Sequence, residues 1–376
     1  MICIKYKILP TKAQERVLSR TLALCCEVYN SLVNERTARY DIAKEYLSRN
    51  TQNKHITVWK QAHPELNAVH SQVLQNIADR VELAFQAFFR RIKAGETTGY
   101  PRLKGRGVYD SITFPQAGKT GARLQGDVLQ LSQIGQVRCV VHRPLIGTVK
   151  TCTIRRQSGK WFACFACEYE PEPLPKSDET VGVDVGLNQF AALSDGTFVV
   201  NPRFFRRDEK ALAKAQRKQS KQVKGSPARR KANKVLSRIH ERIRNRRHDF
   251  VHQTARRLVN RFGLIAVEKL NVKNMMGNHC LAKSIGDAAW SMFRSVLTVK
   301  AESAGRSVVS VDPRFTSQDC SGCGYRAKKK LSERWHFCPM CSLSLDRDTN
   351  AAINLLRTAT GLRSVGSLTA VEAPAF

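Results

Sequence analysis

The 376-residue sequence predicts a multidomain α+β protein, and three observations carry that reading. The hydrophobic period changes along the chain, from helical to two-residue alternation and then to strands interleaved with helices. A proline-rich, partly acidic stretch, PEPLPKSDE from Pro171 to Glu179, separates the second region from the third and reads as the main domain boundary. A chain of this length also supplies enough apolar material for two to three separate cores.

The elements follow in order. Ile2, Ile4, Tyr6 and Ile8 alternate with polar residues, as a half-buried strand requires. Pro10 and Thr11 stop it, and Thr11 with Gln14 makes a capping box for a helix whose stripe is Val17, Leu18, Leu22, Cys25, Tyr29 and Leu32. A second helical stripe runs through Val73, Leu74, Ile77, Val81, Phe85, Phe88, Phe89 and Ile92, and Gly95 to Gly107 is a basic, glycine-rich break. From Ile112 to Tyr169 short apolar runs (VLQL, VRCVVH, VKTCTI, WFACFACEY) alternate with turns, the pattern of a β-barrel or sandwich. Beyond the boundary come strands VGVDVG, FAALSD and TFVV, long helices, strand LIAVE, a helix, strand SVVSV and a last helix. That order predicts an α/β domain with a mixed central sheet.

Charge narrows the partners. Sixty-three Lys and Arg stand against 31 Asp and Glu, a formal charge of +32. Such a field favours a polyanion, most often nucleic acid. Between Arg203 and Arg247 lie 18 basic residues against three acidic ones, broken at Gly225-Ser226-Pro227, so the segment reads as a helical hairpin aimed at phosphates. Arg229, Arg230 and Lys231, just past the break, are expected to project toward a nucleic-acid backbone. The opening MICIKYKILPTKAQ lacks the apolar core of a secretory signal, and no stretch reaches the roughly 18 apolar residues of a membrane span. No lipidation signal supports a membrane-surface role. The expectation is a cytoplasmic protein with reduced cysteines and no membrane partner.

Four of the twelve cysteines form two CxxC pairs, Cys320 with Cys323 and Cys338 with Cys341. Two such knuckles at this separation close a tetrahedral thiolate site around one structural Zn²⁺. Gly322, Gly324 and Pro339 suit the turns that aim both sulfurs of a pair at one point. A third CxxC, Cys164 and Cys167, falls in a strand pattern, where residues three apart face opposite ways, so it is read as core or edge and not as a metal site.

Three acids sit where stability alone would not put them. Asp184 interrupts the apolar run VGVDVG, Glu268 closes LIAVE, and Asp348 opens the helix DTNAAINLL. A carboxylate in a buried strand costs roughly several kcal/mol unless it is paired or holds a cation. Converging on Mg²⁺, which prefers oxygen ligands, the three would make a two-metal phosphodiester-cleaving centre. Taken alone, Asp348 reads as the cap of its helix. Asp346 competes with it as the third ligand, and residue chemistry does not choose between them.

These stretches together, VGVDVGLN around Asp184, AVEKLNV around Glu268, TSQDCSGCG from Thr316, FCPMC and DRDTNAAIN, resemble the TnpB family. That family comprises transposon-encoded RNA-guided DNA endonucleases related to type V CRISPR effectors. KILPTKAQ, VYN at 28–30, GYPRLK at 99–104 and DAAW at 287–290 extend the resemblance over the whole chain. The resemblance implies an RNase-H-like (RuvC) nuclease domain at 178–315 and 343–376, with a zinc ribbon inserted at 316–342. It implies a β-barrel wedge domain at 1–11 and 105–172 and a helical recognition lobe at 12–104. It places the catalytic triad on Asp184, Glu268 and Asp348, preferring Asp348 over Asp346. It further implies a guide RNA derived from the transposon end, a double-stranded DNA target beside a short adjacent motif, one chain per RNA, and a bacterial or archaeal, nucleoid-associated setting.

Two other readings compete. A single-strand transposase needs a Tyr nucleophile beside metal-binding His, and the nine histidines form no HxH pair. A non-catalytic zinc-ribbon regulator of transposition would have no use for an intact acidic triad.

Overall fold

The computed structural model describes residues 1–361 except 106, 331 and 332. The part of the expected nuclease domain at 362–376 lies outside the described residues. The chain is a multidomain mixed α/β protein of two compact units, one from Met1 to Glu170 and one from Pro171 onward.

The first unit opens with strand β1 (Ile2–Leu9), in which Ile4, Tyr6 and Ile8 are buried and the residues between them are exposed. Helix α1 (Lys12–Ala43) starts at the Thr11–Gln14 capping box, with both reciprocal hydrogen bonds present. Helix α2 (Arg49–Ala62) has no counterpart in the sequence reading. Only Gln52 and Ile56 of it are buried, too few apolar residues to set a period, and Ser48 caps it by accepting from the Thr51 amide. In α3 (Ser71–Lys93) the apolar stripe outruns its core: Val73 to Phe85 are buried, but Phe89 and Ile92 are 40% and 48% exposed.

Six further strands follow: β2 (Ser111–Phe114), β3 (Ala122–Gln125), β4 (Val128–Leu131), β5 (Gly135–Val140), β6 (Thr148–Gln157) and β7 (Lys160–Glu168). With β1 they form one antiparallel sheet in the order β2-β6-β7-β1-β5-β4-β3. It is a single continuous sheet, not the two stacked sheets of a sandwich. Cys167 is buried and Cys164 lies half-buried on the opposite face of β7, so period-two alternation keeps the two thiols apart.

The second unit is built on a five-stranded sheet, ordered β10-β9-β8-β11-β12. Its strands are β8 (Thr180–Val185), β9 (Gln189–Leu193), β10 (Phe198–Val200), β11 (Leu264–Glu268) and β12 (Ser307–Val311). β8, β9 and β10 run antiparallel, whereas β8, β11 and β12 run parallel. A helical hairpin, α4 (Phe204–Ser220) and α5 (Pro227–Arg261), is held by Leu212, Ala215, Ile239 and Ile243. Short helices α6 (Val272–Met275) and α7 (Ala282–Ala288) precede α8 (Trp290–Ser303). Val181, Val183, Ile265 and Val267 share a core with Val251, Leu258, Phe293 and Leu297 of α5 and α8.

The opposite face of the sheet carries Gly182, Asp184, Ala266 and Glu268, by the alternation of side chains along each strand. It is covered by α9 (Arg347–Ala359), with Ala266, Val311 and Leu355 in a small core. Before α9 comes a two-stranded hairpin, β13 (Trp335–Phe337) with β14 (Ser344–Asp346). Among the described residues no helix is long and apolar enough to cross a membrane.

Candidate active site and metal centre

The sheet topology brings two acids side by side. β8 and β11 are parallel neighbours with Val183 opposite Val267, so Asp184 and Glu268 are the next residues at the adjoining carboxyl ends. Outside the carboxyl ends of parallel strands is where open α/β sheets bind their ligands. The Asp184 and Glu268 carboxyls are hydrogen-bonded to each other. Burial pushes the Asp184 carboxyl well above the usual range, and the negative charges of Glu268 and Asp348 push it further. Burial raises Glu268 as well. Two carboxyls this close share a proton when no cation separates them.

Asp348 reaches them from α9, and the fit is metric. Asp348 and Ala352 lie one turn apart on the same helix face, about 6 Å along the axis. Gly182 and Asp184 lie two residues apart on one strand face, about 6.6 Å. The helix rests on the strand at Gly182, where an added Cβ would stand 1.8 Å from the Ala352 carbonyl oxygen. With Ala352 seated over Gly182, Asp348 falls beside Asp184. A Cβ on Gly186 would likewise come within 4.0 Å of Asp348 Oδ2 and 3.1 Å of the Gln189 carbonyl oxygen.

The expectation that Asp348 caps its helix is corrected by the structure. The cap is Asp346, which accepts from the Asp348 amide at 2.9 Å and the Thr349 amide at 3.1 Å. An N-cap side chain must sit outside the first turn to reach those amides. Asp346 does, which leaves the Asp348 carboxylate directed to the cluster. Its Oδ1 is 3.5 Å from Arg347 Nε and its Oδ2 3.9 Å from Arg334 Nη1.

The four-cysteine site lies just before α9. The Sγ atoms of Cys320, Cys323, Cys338 and Cys341 all lie within 4.8 Å of one another. Cys320 and Cys341 are 3.6 Å apart, and Cys323 and Cys338 3.5 Å. A tetrahedron of Zn–S bonds near 2.3 Å has edges of about 3.8 Å, so the set fits one Zn²⁺ and is far too open for disulfides. In each knuckle the residue after the second cysteine, Gly324 (φ +81°) or Ser342 (φ +57°), adopts the left-handed conformation that closes the turn. The Gly322 amide donates to Cys320 Sγ at 3.3 Å.

Two asparagines that the sequence reading passed over join this site to the carboxylates. Asn350 and Asn354 are buried on α9 and donate to the Asp319 carbonyl at 2.8 and 2.7 Å, and Asn354 also donates to that of Thr316 at 2.8 Å. Asn350 Oδ1 accepts from the Ser321 amide at 2.9 Å. Their signal was legible: amides at i and i+4 on the apolar stripe of a helix need partners. Asp287 of the DAAW run was also missed. Its carboxylate accepts from the Phe205 amide and from Arg247 Nη2 at 2.9 Å, tying α7 to both arms of the basic hairpin.

The hairpin itself needs one revision. Arg229 donates to the Gln222 carbonyl at 2.7 Å and the Gln219 carbonyl at 3.3 Å, and Arg230 donates to that of Gly225 at 3.1 Å. Both guanidinium groups brace the loop, because the break at 225–227 leaves carbonyls at the end of α4 that need donors. Arg229 is half-buried, whereas Arg230, Lys231, Lys234 and Arg238 are exposed. Closer to the acids, Lys269, Lys273, Arg294 and Arg314 line a groove that shares Leu270, Val272, Ser291 and Arg294 with the hollow beside Glu268.

The fold and site thus define a mixed α/β protein with an acidic cluster at its sheet ends, a four-thiol cluster that could hold a metal ion and a strongly basic composition. Three family models match the chain: "Probable transposase" over 164–279, "Cas12f1-like, TNB domain" over 290–355 and "Helix-turn-helix domain" over 1–44. The last stretch is here a strand and one unbroken helix. A relative from Streptomyces pristinaespiralis, named "Putative RNA-guided DNA endonuclease", is 34% identical over 96% of this chain and 90% of its own. One from Escherichia coli K12 with the same description, InsQ, is 29% identical over 97% of this chain and 94% of its own. The solved structure of the mini-RNA-guided endonuclease CRISPR-Cas_phi3 shares the fold, with a TM-score of 0.50 at 10% identity over 95% of this chain and 92% of that one. The chain belongs to the TnpB family of insertion-sequence-encoded proteins.

Proposed function

We propose that this protein is an RNA-guided DNA endonuclease of an insertion sequence, with Asp184, Glu268 and Asp348 as its catalytic carboxylates. The observation that carries the reading is the convergence of these three acids, with Asp184 driven upward by burial and by the other two. Carboxyls brought together at such cost must share a proton or be neutralised by cations, and the arrival of a third acid, Asp348, favours cations. The donor set is all oxygen and suits two Mg²⁺, which would supply Lewis acidity for in-line phosphodiester hydrolysis. The chain's own residues do the positioning. Gly182 sets the depth of α9, Asp346 holds the first turn, and Asn350 and Asn354 lock that helix to the thiolate site, which would hold one structural Zn²⁺.

On this reading the second unit is the RuvC-like nuclease domain with its inserted ribbon. The first is the wedge sheet with its helical lobe. Sequence choice is delegated to a guide RNA from the transposon end, one chain carrying one RNA, and the target is duplex DNA beside a short adjacent motif. The groove of Lys269, Lys273, Arg294 and Arg314 would carry strand phosphates toward the acids. A non-catalytic regulator would leave the acidic cluster without a purpose. The test is to purify the chain with RNA from its own locus, and to compare Mg²⁺-dependent cutting of matched DNA by the parent and by Asp184→Ala. Loss of cutting with retained RNA-directed binding supports the proposal, and equal cutting overturns it.

A further inference from the structure

The first unit contains an aromatic hollow that nuclease chemistry leaves unused. It is lined by Arg36 and Tyr40 of α1, Tyr46 beyond it, Phe85 and Phe88 of α3, and Tyr100. Tyr46 and Tyr100 are 59% and 41% exposed, and Tyr100 stacks on Phe88 with ring centroids 5.0 Å apart. Arg36, by contrast, is only 3% exposed. Its Nε donates to Gln52 Oε1 and its Nη2 to Glu82 Oε2, each at 2.7 Å. Its Nη1 is buried and has no hydrogen-bond partner among the described residues. The guanidinium packs 5.3 Å from the Tyr46 ring and 5.4 Å from the Phe85 ring.

A buried cationic N–H without an acceptor is costly, and its retention beside open aromatic faces points to a ligand that completes it. That ligand must be planar, to stack on the rings, and must carry an acceptor for the Arg36 donor. A nucleobase carbonyl meets both demands. Glu45 lines the same hollow and Glu82 pairs with Arg36, so a phosphate is excluded from the interior. Exposed cations stand at its edge. Arg39 pairs with Glu45 at 2.8 Å, and Lys44 lies 5.2 Å over the Tyr40 ring. A base would enter with its sugar-phosphate left outside.

We infer that this hollow binds one unpaired base of the RNA the chain carries, a conclusion that rests on the RNA partner proposed above. RNA is favoured over DNA because bases in RNA loops and bulges are splayed out and stack on aromatic side chains. The only unpaired DNA of the proposed reaction is the displaced strand, which on this reading is led to the acidic cluster of the second unit. Tyr46 lies over the guanidinium with its hydroxyl donating to Glu82 Oε1 at 2.7 Å, so admitting the base exchanges that hydrogen bond for stacking of the base on the turned ring.

The test uses the full chain and three probes: a mixed-sequence single-stranded RNA, the same strand made abasic, and the matching single-stranded DNA. Tyr46→Ala combined with Tyr100→Ala is expected to weaken binding of the base-bearing RNA roughly five- to a hundredfold. Affinity for the abasic strand stays unchanged, and tryptophan at both positions restores the loss. Photocrosslinking of 4-thiouridine-substituted RNA should mark peptides containing Tyr46 or Tyr100. Equal losses on abasic and base-bearing RNA overturn the inference, as does a loss confined to DNA or a change in oligomeric state in the alanine variant. If the parent binds RNA and the variant binds it equally well, the hollow is refuted while the nuclease reading stands. If the parent binds no RNA, the reading itself falls and the inference with it.

Discussion

Adding one methyl group at Gly182 should separate binding from cutting. In Gly182→Ala the new Cβ would stand 1.8 Å from the Ala352 carbonyl oxygen, 2.8 Å from its carbonyl carbon and 3.0 Å from the Leu356 amide nitrogen. Ordinary contact begins near 3.4 Å, so backbone must yield by about 1.5 Å, and no flexible side chain is available to absorb it. The yielding element is α9, and Asp348 lies one turn from the clash. A displacement of about 1 Å at a reacting centre costs on the order of a hundredfold in rate. Overpacking of this kind costs about 1–3 kcal/mol, which lowers the melting temperature by roughly 2–4 °C per kcal/mol in a domain this size. The assay is single-turnover cleavage of labelled target duplex by the protein–RNA complex, with RNA-directed binding measured in parallel. Gly286→Ala is the control, since a Cβ there meets only the Met276 side chain at 3.6 Å. Cutting by Gly182→Ala at the parent rate would refute the claim that close helix–strand approach places Asp348.

Four further outcomes follow from the same geometry. Glu268→Ala and Asp348→Ala should each abolish cleavage with binding nearly intact, whereas Asp346→Asn, which keeps an N-cap acceptor, should retain most activity in the same assay. Cys320→Ser should release about one zinc per chain by metal analysis and lower activity through Asn350 and Asn354, while Cys164→Ser leaves zinc content unchanged. Lys231→Ala with Lys234→Ala should lower the log–log salt slope of nucleic-acid binding by about 0.7–0.9 per lost phosphate contact, whereas Arg229→Ala should instead lower the melting temperature by freeing the loop carbonyls. In chelator, the stability contributed by the acid pair should fall as pH rises. Folded Asp184 and Glu268 have raised pKa values, so the folded chain holds protons that the unfolded chain has released. That contribution is fully present below the unfolded carboxyl values near 4 and is lost as pH climbs through the raised folded values. His70, His252 and His336, lowered by burial, contribute in the opposite sense. A melting series therefore reads the effect as the difference between parent and Asp184→Asn, and a parent that loses no stability relative to that variant over the window contradicts the assignment.

The elements most legible in the sequence were those with a strong period. Ile4, Tyr6 and Ile8 announced β1, and the Thr11–Gln14 box set the start of α1 to the residue. The acids on β8 and β11 stood out because carboxylates interrupt apolar strands there. What the sequence withheld depends on partners distant along the chain. Helix α2 buries two side chains and owes its place to Gln52 donating to the Leu32 carbonyl at 2.9 Å, a contact no local pattern encodes. Asp346 and Asp348 are chemically identical, and only the path of the hairpin into α9 assigns one to capping and the other to the cluster. Gly182 reads as an ordinary strand glycine until the helix above it is seen. Arg229 looked like a phosphate ligand because composition counts charges and cannot count the carbonyls waiting within the same loop.

The most direct measurement is cleavage of a matched DNA duplex by the purified complex of this chain and its locus-derived RNA, across a Mg²⁺ titration, for the parent and Asp184→Ala. The account predicts cutting by the parent that requires both matched RNA and Mg²⁺, disappears with chelator, and is absent from Asp184→Ala at every Mg²⁺ concentration while that variant still binds the duplex. Cutting by Asp184→Ala at the parent rate would contradict it, as would parent cutting that persists without Mg²⁺ or with an unmatched RNA.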